Sequence, residues 1–246
     1  MSYIRDFGRW MRIHRDPNAH ILGNEWKAGI VHSTPYLMSS TDIEAFFTAA
    51  GTVPAHSPWA WQATAFFLLM HSAGLRTREA KQLMVADVDF NDHSVMIAAT
   101  KTGRDRKLPI TDDVMSILRT CHRRSHSQFP NREHFFVSST GARLSPATIG
   151  VMFNRIWDHA GLPRPATGPR PRPCDFRHHF AYANIERWMR DGTDVNTMLP
   201  YLSAYMGHAG IDSTLYYVHT SPDFMAAYSG LARKTANMVI REAGTR

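Results

Sequence analysis

The chain has 246 residues, 43% of them apolar, enough for one large domain or two small ones around a real core. Lysine and arginine number 28 against 21 aspartates and glutamates, a formal charge of +7 that points to a polyanionic partner, nucleic acid first. Two cysteines, Cys121 and Cys174, exclude a disulfide framework and a Cys-x-x-Cys metal site, and the longest apolar stretch, Ala63 to Met70, falls far short of the ~18 residues of a membrane span.

Ile4, Phe7 and Met11 fall on one face of a helix from Tyr3 to Arg12, and Asp16-Pro17-Asn18 turns the chain after it. One helix cannot bury its own face, so residues 1–36 are expected to dock on the remainder or to belong to a domain that is not here. At Ser40-Thr41-Asp42-Ile43-Glu44 a capping box, with Thr41 bonding the third amide and Glu44 reaching back, starts a helix running to about Ala50. Trp59 to Ala73 is a longer apolar helix closed by Gly74 in the left-handed cap position. After Leu75-Arg76-Thr77-Arg78-Glu79, Gln82 to Phe90 leads out of a short helix. Ser94 to Ala99 and Lys107 to Ile110 read as the strands of a hairpin with a cationic loop, and Phe135 to Val137 as a third short strand. Thr111 caps a helix from Asp112 to Ser127; Ser145 caps another that begins at Pro146 and ends near Gly161. Five prolines and three arginines between 163 and 173 forbid helix and favour an extended loop. A helix from Asp175 to Asp191 stopped by Gly192, a helical stretch broken near Pro200, and a last helix from Ser221-Pro222 complete the pattern. The fold class is α+β, mainly helical, with its strands grouped early.

Four clusters stand apart by residue type. Arg76 follows a helix-terminating Gly-Leu, Lys101 sits at the mouth of the hairpin, Arg177 lies in Cys174-Asp-Phe-Arg-His-His179, and His208 with Tyr217 lies in the stretch Met206 to His219. Two arginines, a lysine, a histidine and a tyrosine are what a metal-free phosphoryl transfer needs. Guanidiniums clamp non-bridging phosphate oxygens in a planar, bidentate way and stay charged at any working pH. A lysine can protonate a leaving alkoxide, and a histidine can hydrogen-bond the same phosphate. A phenol, with an unperturbed pKa of about 10, is a poor nucleophile without such neighbours. Spacing alone does not select these residues from 28 basic ones and 8 tyrosines. His122 and His126 have i,i+4 metal spacing, but Arg123 and Arg124 between them mark a solvated face.

The residues Gly74-Leu-Arg-x-x-Glu79, Thr100-Lys-Thr-Gly103 with Arg106-Lys-Leu-Pro109, Asp175-Phe-Arg-His178, Gly207-His208 and Tyr217-Val-His219 resemble, in order and spacing, the successive boxes of the tyrosine recombinases, or phage-type integrases. The resemblance runs from about Pro35 to Ala232, and Arg187-Trp188 to Pro200 with Ser221-Pro222-Asp223 is similar to the transposon and insertion-element branch. It implies a catalytic domain over 37–246 with a small three-stranded antiparallel sheet, preceded in 1–36 by the remnant of a helical core-binding domain and its linker.

Carried over box by box, the resemblance makes Arg76 and Arg177 the clamp on the scissile phosphate and His208 a second phosphate donor. Lys101 becomes the general acid toward the departing 5′ oxygen, and Tyr217 the nucleophile of a 3′-phosphotyrosyl intermediate. The nine-residue interval from His208 and the Tyr-x-His pattern favour Tyr217 over Tyr216. Glu79 and His178 stand behind this set, and Arg104, Arg106, Lys107, Arg170 and Arg172 are expected DNA contacts, although loop 163–173 may equally be a bridge between two helices. Cys174 is the departure, because the family pattern has a histidine three residues before the second arginine. A thiol is a weak neutral donor or an anion, never a cation, so Cys174 either takes that catalytic place poorly or is a small buried residue whose work passes to His178 or water.

The implied activity is site-specific recombination of double-stranded DNA by a homotetramer on paired sites, with accessory recombinases as further partners and with neither metal nor cofactor. The implied setting is the bacterial cytoplasm, at the nucleoid. The alternatives are a catalytically impaired DNA-binding remnant of a mobile element and a type IB topoisomerase-like nicking-closing enzyme.

Overall fold

The computed structural model describes residues 2–21, 23, 35–54, 59–98, 105–208, 210, 213 and 214. The chain divides into two units, Met1–Thr34 and Pro35–Arg246. In the first, α1 (Ser2–His14) extends the expected helix at both ends. Asp16 accepts the Asn18 amide through its side chain at 2.9 Å, and the chain then returns along the helix. Arg12 donates from Nε and Nη2 to the Ala19 carbonyl at 3.1 and 2.9 Å, and Arg5 to the Gly23 carbonyl at 3.0 Å. Gly8 permits this approach, since a Cβ there would stand 2.9 Å from the His20 carbonyl oxygen.

The second unit is built on α3 (Trp59–Ala73), which is apolar on nearly every side and is therefore wrapped by other elements. It packs on α2 (Ser40–Thr52), α5 (Asp112–Gln128), α6 (Pro146–His159) and α7 (Asp175–Arg190). Their shared core is aromatic: Phe46 meets Phe67, Phe153, Trp157 and Phe176 with ring centroids 5.0–6.3 Å apart. Edge-to-face and tilted pairs of this kind add to the area that the rings bury. The capping box of α2 lies two residues earlier than expected. Ser39, not Thr41, takes the Asp42 amide at 3.1 Å, and Asp42, not Glu44, answers to the Ser39 amide at 2.9 Å. Thr111 stands at the predicted N-cap of α5 but contributes no side-chain bond, whereas Ser145 caps α6 through the Thr148 amide with Pro146 in the first turn.

The sheet is three-stranded and antiparallel in the order β1 (Val88–Asp89), β2 (Ser94–Ile97), β3 (Arg106–Pro109). Val95 pairs with Val88 on one side and Leu108 on the other, and Ile97 pairs with Arg106. The hairpin is as predicted, with β2 shorter and β3 one residue earlier, but its third member is Val88–Asp89 and not Phe135–Val137. That run makes only isolated bridges, Met84 with His134 and Val137 with Arg143. Its backbone is satisfied by a side chain instead. The buried Gln62 of α3 donates to the Val137 carbonyl at 2.9 Å and accepts its amide at 2.8 Å, imitating a neighbouring strand.

The short α4 (Thr77–Gln82) leads from α3 toward the sheet, and α8 (Val195–Met206) packs on α7 through a smaller apolar cluster of Ala181, Ile185, Val195, Leu199, Leu202 and Met206. Pro200 does not break α8: the helix runs through it. Val195, Leu199, Leu202 and Met206 hold the buried side, while Pro200 and Asn196 lie on the exposed side, where water can take the carbonyl that the missing N–H leaves unpaired.

Candidate active site

Two helix ends create the site. α3 and α8 each stop at a glycine in the left-handed region, Gly74 with φ 60° and Gly207 with φ 66°. Each glycine turns the chain so that the residues just beyond it, Leu75-Arg76 and His208, leave the helix axis toward each other. The last carbonyls of a helix carry partial negative charge and need donors. Arg177, on the first turns of α7, supplies them: Nη1 donates to the Gly74 carbonyl at 2.6 Å and Nη2 to the Met206 carbonyl at 2.7 Å. A guanidinium that is only 5% exposed is held there by the negative ends of two helices.

Arg76 is the N-cap of α4 and Glu79 its third residue. The Glu79 carboxylate accepts from the Arg76 amide at 2.9 Å and from Arg76 Nη1 at 2.7 Å. Arg76 Nη2 reaches across to the Gly207 carbonyl at 2.9 Å, tying the two glycine corners together. Arg106 enters from β3 and grips both oxygens of Glu79, at 3.2 and 2.8 Å, while Arg177 Nη1 lies 3.8 Å away. Burial by itself pushes the Glu79 carboxyl up, but hydrogen bonds from Arg106 and the Arg76 amide, with the adjoining positive charge, outweigh it and hold the group below the usual carboxylate range.

His208 lies between two partners, with Nε2 2.8 Å from Arg177 Nη2 and Nδ1 2.7 Å from Thr214 Oγ1. Arginine can only donate, so Nε2 is the acceptor and the proton of the neutral ring belongs on Nδ1, where it donates to Thr214. Burial, then the charges of Arg177, Arg76 and Arg106, push this imidazole down to about 3. The result is a concave group of three guanidiniums, one carboxylate and one neutral imidazole, net positive, around the two glycine corners. Such a site suits a tetrahedral oxyanion.

Of the predicted residues, Arg76, Glu79, Arg177 and His208 come together here. Arg106 does as well, which corrects its expected place among the surface DNA contacts: its side chain is 13% exposed and bound to Glu79. A cue was available, since residues two apart on a strand share a face and Arg106 has the parity of buried Leu108. Thr214, the partner of His208, had no such cue. Cys174 is the N-cap of α7, its Sγ 4.0 Å from Asp175 Oδ1, and burial together with Asp175 pushes the thiol up, so it is neutral. His178 sits 3.9 Å from the same Asp175 oxygen, one turn along α7. Lys107 is exposed and paired with Asp92 at 2.5 Å, and Arg170 and Arg172 stand exposed on the proline-rich loop. Lys101, Arg104 and both Tyr216 and Tyr217 lie outside the described residues, as does the predicted helix from Ser221.

The Phage integrase family profile matches residues 37–223. The chain belongs to the phage integrase family. It is 31% identical over 239 residues to the integrase/recombinase-like protein y4rB of Sinorhizobium fredii, covering 92% of this chain and 74% of that one. It is 25% identical over 198 residues to tyrosine recombinase XerC 2 of Ralstonia nicotianae, covering 80% of this chain and 52% of that one. Among solved structures, the XerA recombinase superposes with a TM-score of 0.65 at 21% identity, covering 82% of this chain and 65% of the other. This integrase-family chain thus spans between half and three quarters of the length of these relatives. The mainly helical fold with a three-stranded antiparallel sheet is that of the tyrosine recombinase catalytic domain. Among the described residues no helix is long and apolar enough to cross a membrane.

Proposed function

We propose that this chain is a site-specific recombinase that cleaves and rejoins double-stranded DNA through Tyr217. The observation that carries the reading is the convergence of Arg76, Arg177 and His208 on the corners made by Gly74 and Gly207. These are the residues that the family boxes supply, and here they form one cationic cup. In the reaction the Tyr217 oxygen attacks the scissile phosphorus, the P–O5′ bond breaks, and the 5′ oxygen takes a proton from Lys101. The product is a 3′-phosphotyrosyl link and a free 5′ hydroxyl. Rejoining reverses each step on a new partner end, so the phosphodiester is conserved and the proposal includes no cofactor.

Arg76 and Arg177 hold the non-bridging oxygens, and His208 begins as a neutral acceptor of Arg177. An arriving phosphate adds negative charge beside the ring and draws Arg177 toward itself, which favours protonation of Nε2 and turns His208 into a donor. Glu79 fixes Arg76 and Arg106 without facing the phosphate. Assembly as a tetramer on paired sites, and partnership with accessory recombinases, belong to the same proposal.

A DNA substrate nicked close to the cleavage site tests it. Loss of the short fragment traps the covalent complex, which is expected with the native chain and with Tyr216→Phe but not with Tyr217→Phe. No adduct at high protein concentration would sink the reading. Adduct formation without recombinant product from two sites would reduce it to a nicking-closing activity. Cys174→His is expected to raise the cleavage rate on the same substrate, and an unchanged rate would show that the thiol costs the reaction nothing.

A further inference from the structure

The first turn of α7 carries a grouping for which strand transfer has no use. Cys174, Asp175 and His178 bring a thiol, a carboxylate and an imidazole to one spot, their ligating atoms all within 4.8 Å of one another. Asp175 Oδ1 is the shared corner, with the Cys174 sulfur at 4.0 Å and His178 Nε2 at 3.9 Å. A zinc ion bonds sulfur at about 2.3 Å, nitrogen at about 2.0–2.1 Å and carboxylate oxygen at about 2.0–2.2 Å. One ion can therefore span up to about 4.4 Å between sulfur and oxygen and about 4.2 Å between nitrogen and oxygen. Both observed edges already lie within those limits, and the sulfur–nitrogen edge closes with a shift of about half an ångström.

The corner is also held ready. Asp175 is completely buried, and its other oxygen, Oδ2, accepts the Arg172 amide at 2.7 Å, which fixes the carboxylate with Oδ1 on the side of the thiol and the ring. A competing cation is present, since Arg172 Nη2 lies 3.6 Å from Oδ1, but that side chain is 44% exposed and can turn out to solvent. Arg177, four residues from neither ligand but one turn inside the helix, is committed to Gly74, Met206 and His208.

We infer that Cys174, Asp175 and His178 form a three-ligand site for a zinc-like divalent cation, with its fourth position open. A thiolate, an imidazole and a carboxylate together select zinc or cobalt over magnesium or calcium. Binding releases the thiol proton to solvent and exchanges waters of the ion for three protein ligands. The inference is independent of the recombinase reading, because it is read on the protein without DNA, and the transesterification itself runs without the ion.

The test is titration of the full chain with cobalt(II). A thiolate-to-cobalt charge-transfer absorption saturating at one ion per chain is expected. It should vanish in Cys174→Ser, need at least tenfold more cobalt in His178→Ala, persist in Cys121→Ser, and saturate at lower cobalt in Arg172→Gln. Cys174→His guards against a merely misfolded Cys174→Ser: it should still take zinc from a chromogenic chelator while showing no sulfur band with cobalt. Absence of the band at millimolar cobalt, or a band that survives Cys174→Ser, overturns the site.

Discussion

Glu79 is a carboxylate with no exposed side-chain surface that serves Arg76 and Arg106 at once, so its charge is the keystone of the cup. Glu79→Gln keeps the shape and removes the charge, leaving guanidiniums without their counter-ion; it should cost about 3 kcal/mol or more, measured as a shift in the urea midpoint. The effect depends on pH. An unfolded glutamate titrates near 4.3 and the folded Glu79 below that, so its contribution is complete above about 4.3 and is lost as the pH falls through the folded value. The native chain should show this acid component and Glu79→Gln should lack it. His208 acts in the same direction over a wider window. Its folded value of about 3 lies below the unfolded ~6.5, so the fold favours the neutral ring and loses that stability as the pH drops between the two. Nitrogen-15 NMR should find this ring neutral at pH 5, with its proton on Nδ1, and should find it protonated at a higher pH once DNA is bound. A ring that titrates near 6.5 in the free protein would contradict the geometry. Most of this was legible in the sequence because Arg76, Glu79, Arg177 and His208 lie in short boxes with fixed neighbours. Arg106 was assigned by its charge when its strand parity pointed inward, and Thr214 is one hydroxyl among many, identified only by the ring beside it.

At the scale of elements, the helix ends were readable and the sheet was not fully so. Gly74, Gly161, Gly192 and Gly207 all take positive φ just beyond a helix, as their positions suggested. β1 has two residues, too few for any alternation to register, while Phe135 to Val137 has strand composition but spends its pairing on the Gln62 side chain. The two glycines beyond α7 and α8 offer an internal control. Gly192, with φ 71°, has open space where a Cβ would go, whereas a Cβ on Gly207, with φ 66°, would stand 2.7 Å from Arg106 Nη1. Gly192→Ala should therefore cost only the left-handed backbone term, about 1–2 kcal/mol. Gly207→Ala should cost that amount and also push Arg106 off Glu79, so that DNA cleavage falls far more than stability does. Equal losses of cleavage in the two variants would show that the Arg106 contact does not matter to the site.

For the whole molecule, the charge of +7 is consistent with a DNA partner, and its test is ionic strength. The logarithm of the DNA association constant should fall linearly with the logarithm of salt concentration, by about 0.9 for each phosphate neutralised. Arg170, exposed on the proline-rich loop, is expected to be one such contact, so Arg170→Ala should reduce the slope by about 0.9 while leaving sequence preference unchanged. An unchanged slope would make the loop a bridge between α6 and α7 and nothing more. The sequence showed a basic chain but not which cations remain open to solvent: Lys107 already has Asp92, and Arg106 is sequestered by Glu79.

The bonds that close the cup also say when it can exist. Arg76 reaches Gly207 across 131 positions of sequence, and Arg177 reaches Gly74 across 103. Contacts so distant along the chain require loop closure to be complete before they form. A chain still emerging from the ribosome has Arg76 long before it has Gly207, and a chain that has partly unfolded at α8 loses the Gly207 and Met206 carbonyls that hold both arginines. Competence to break a DNA strand is thereby coupled to completion of the fold, and a half-made molecule carries the basic residues without the arrangement that would make them dangerous to a chromosome.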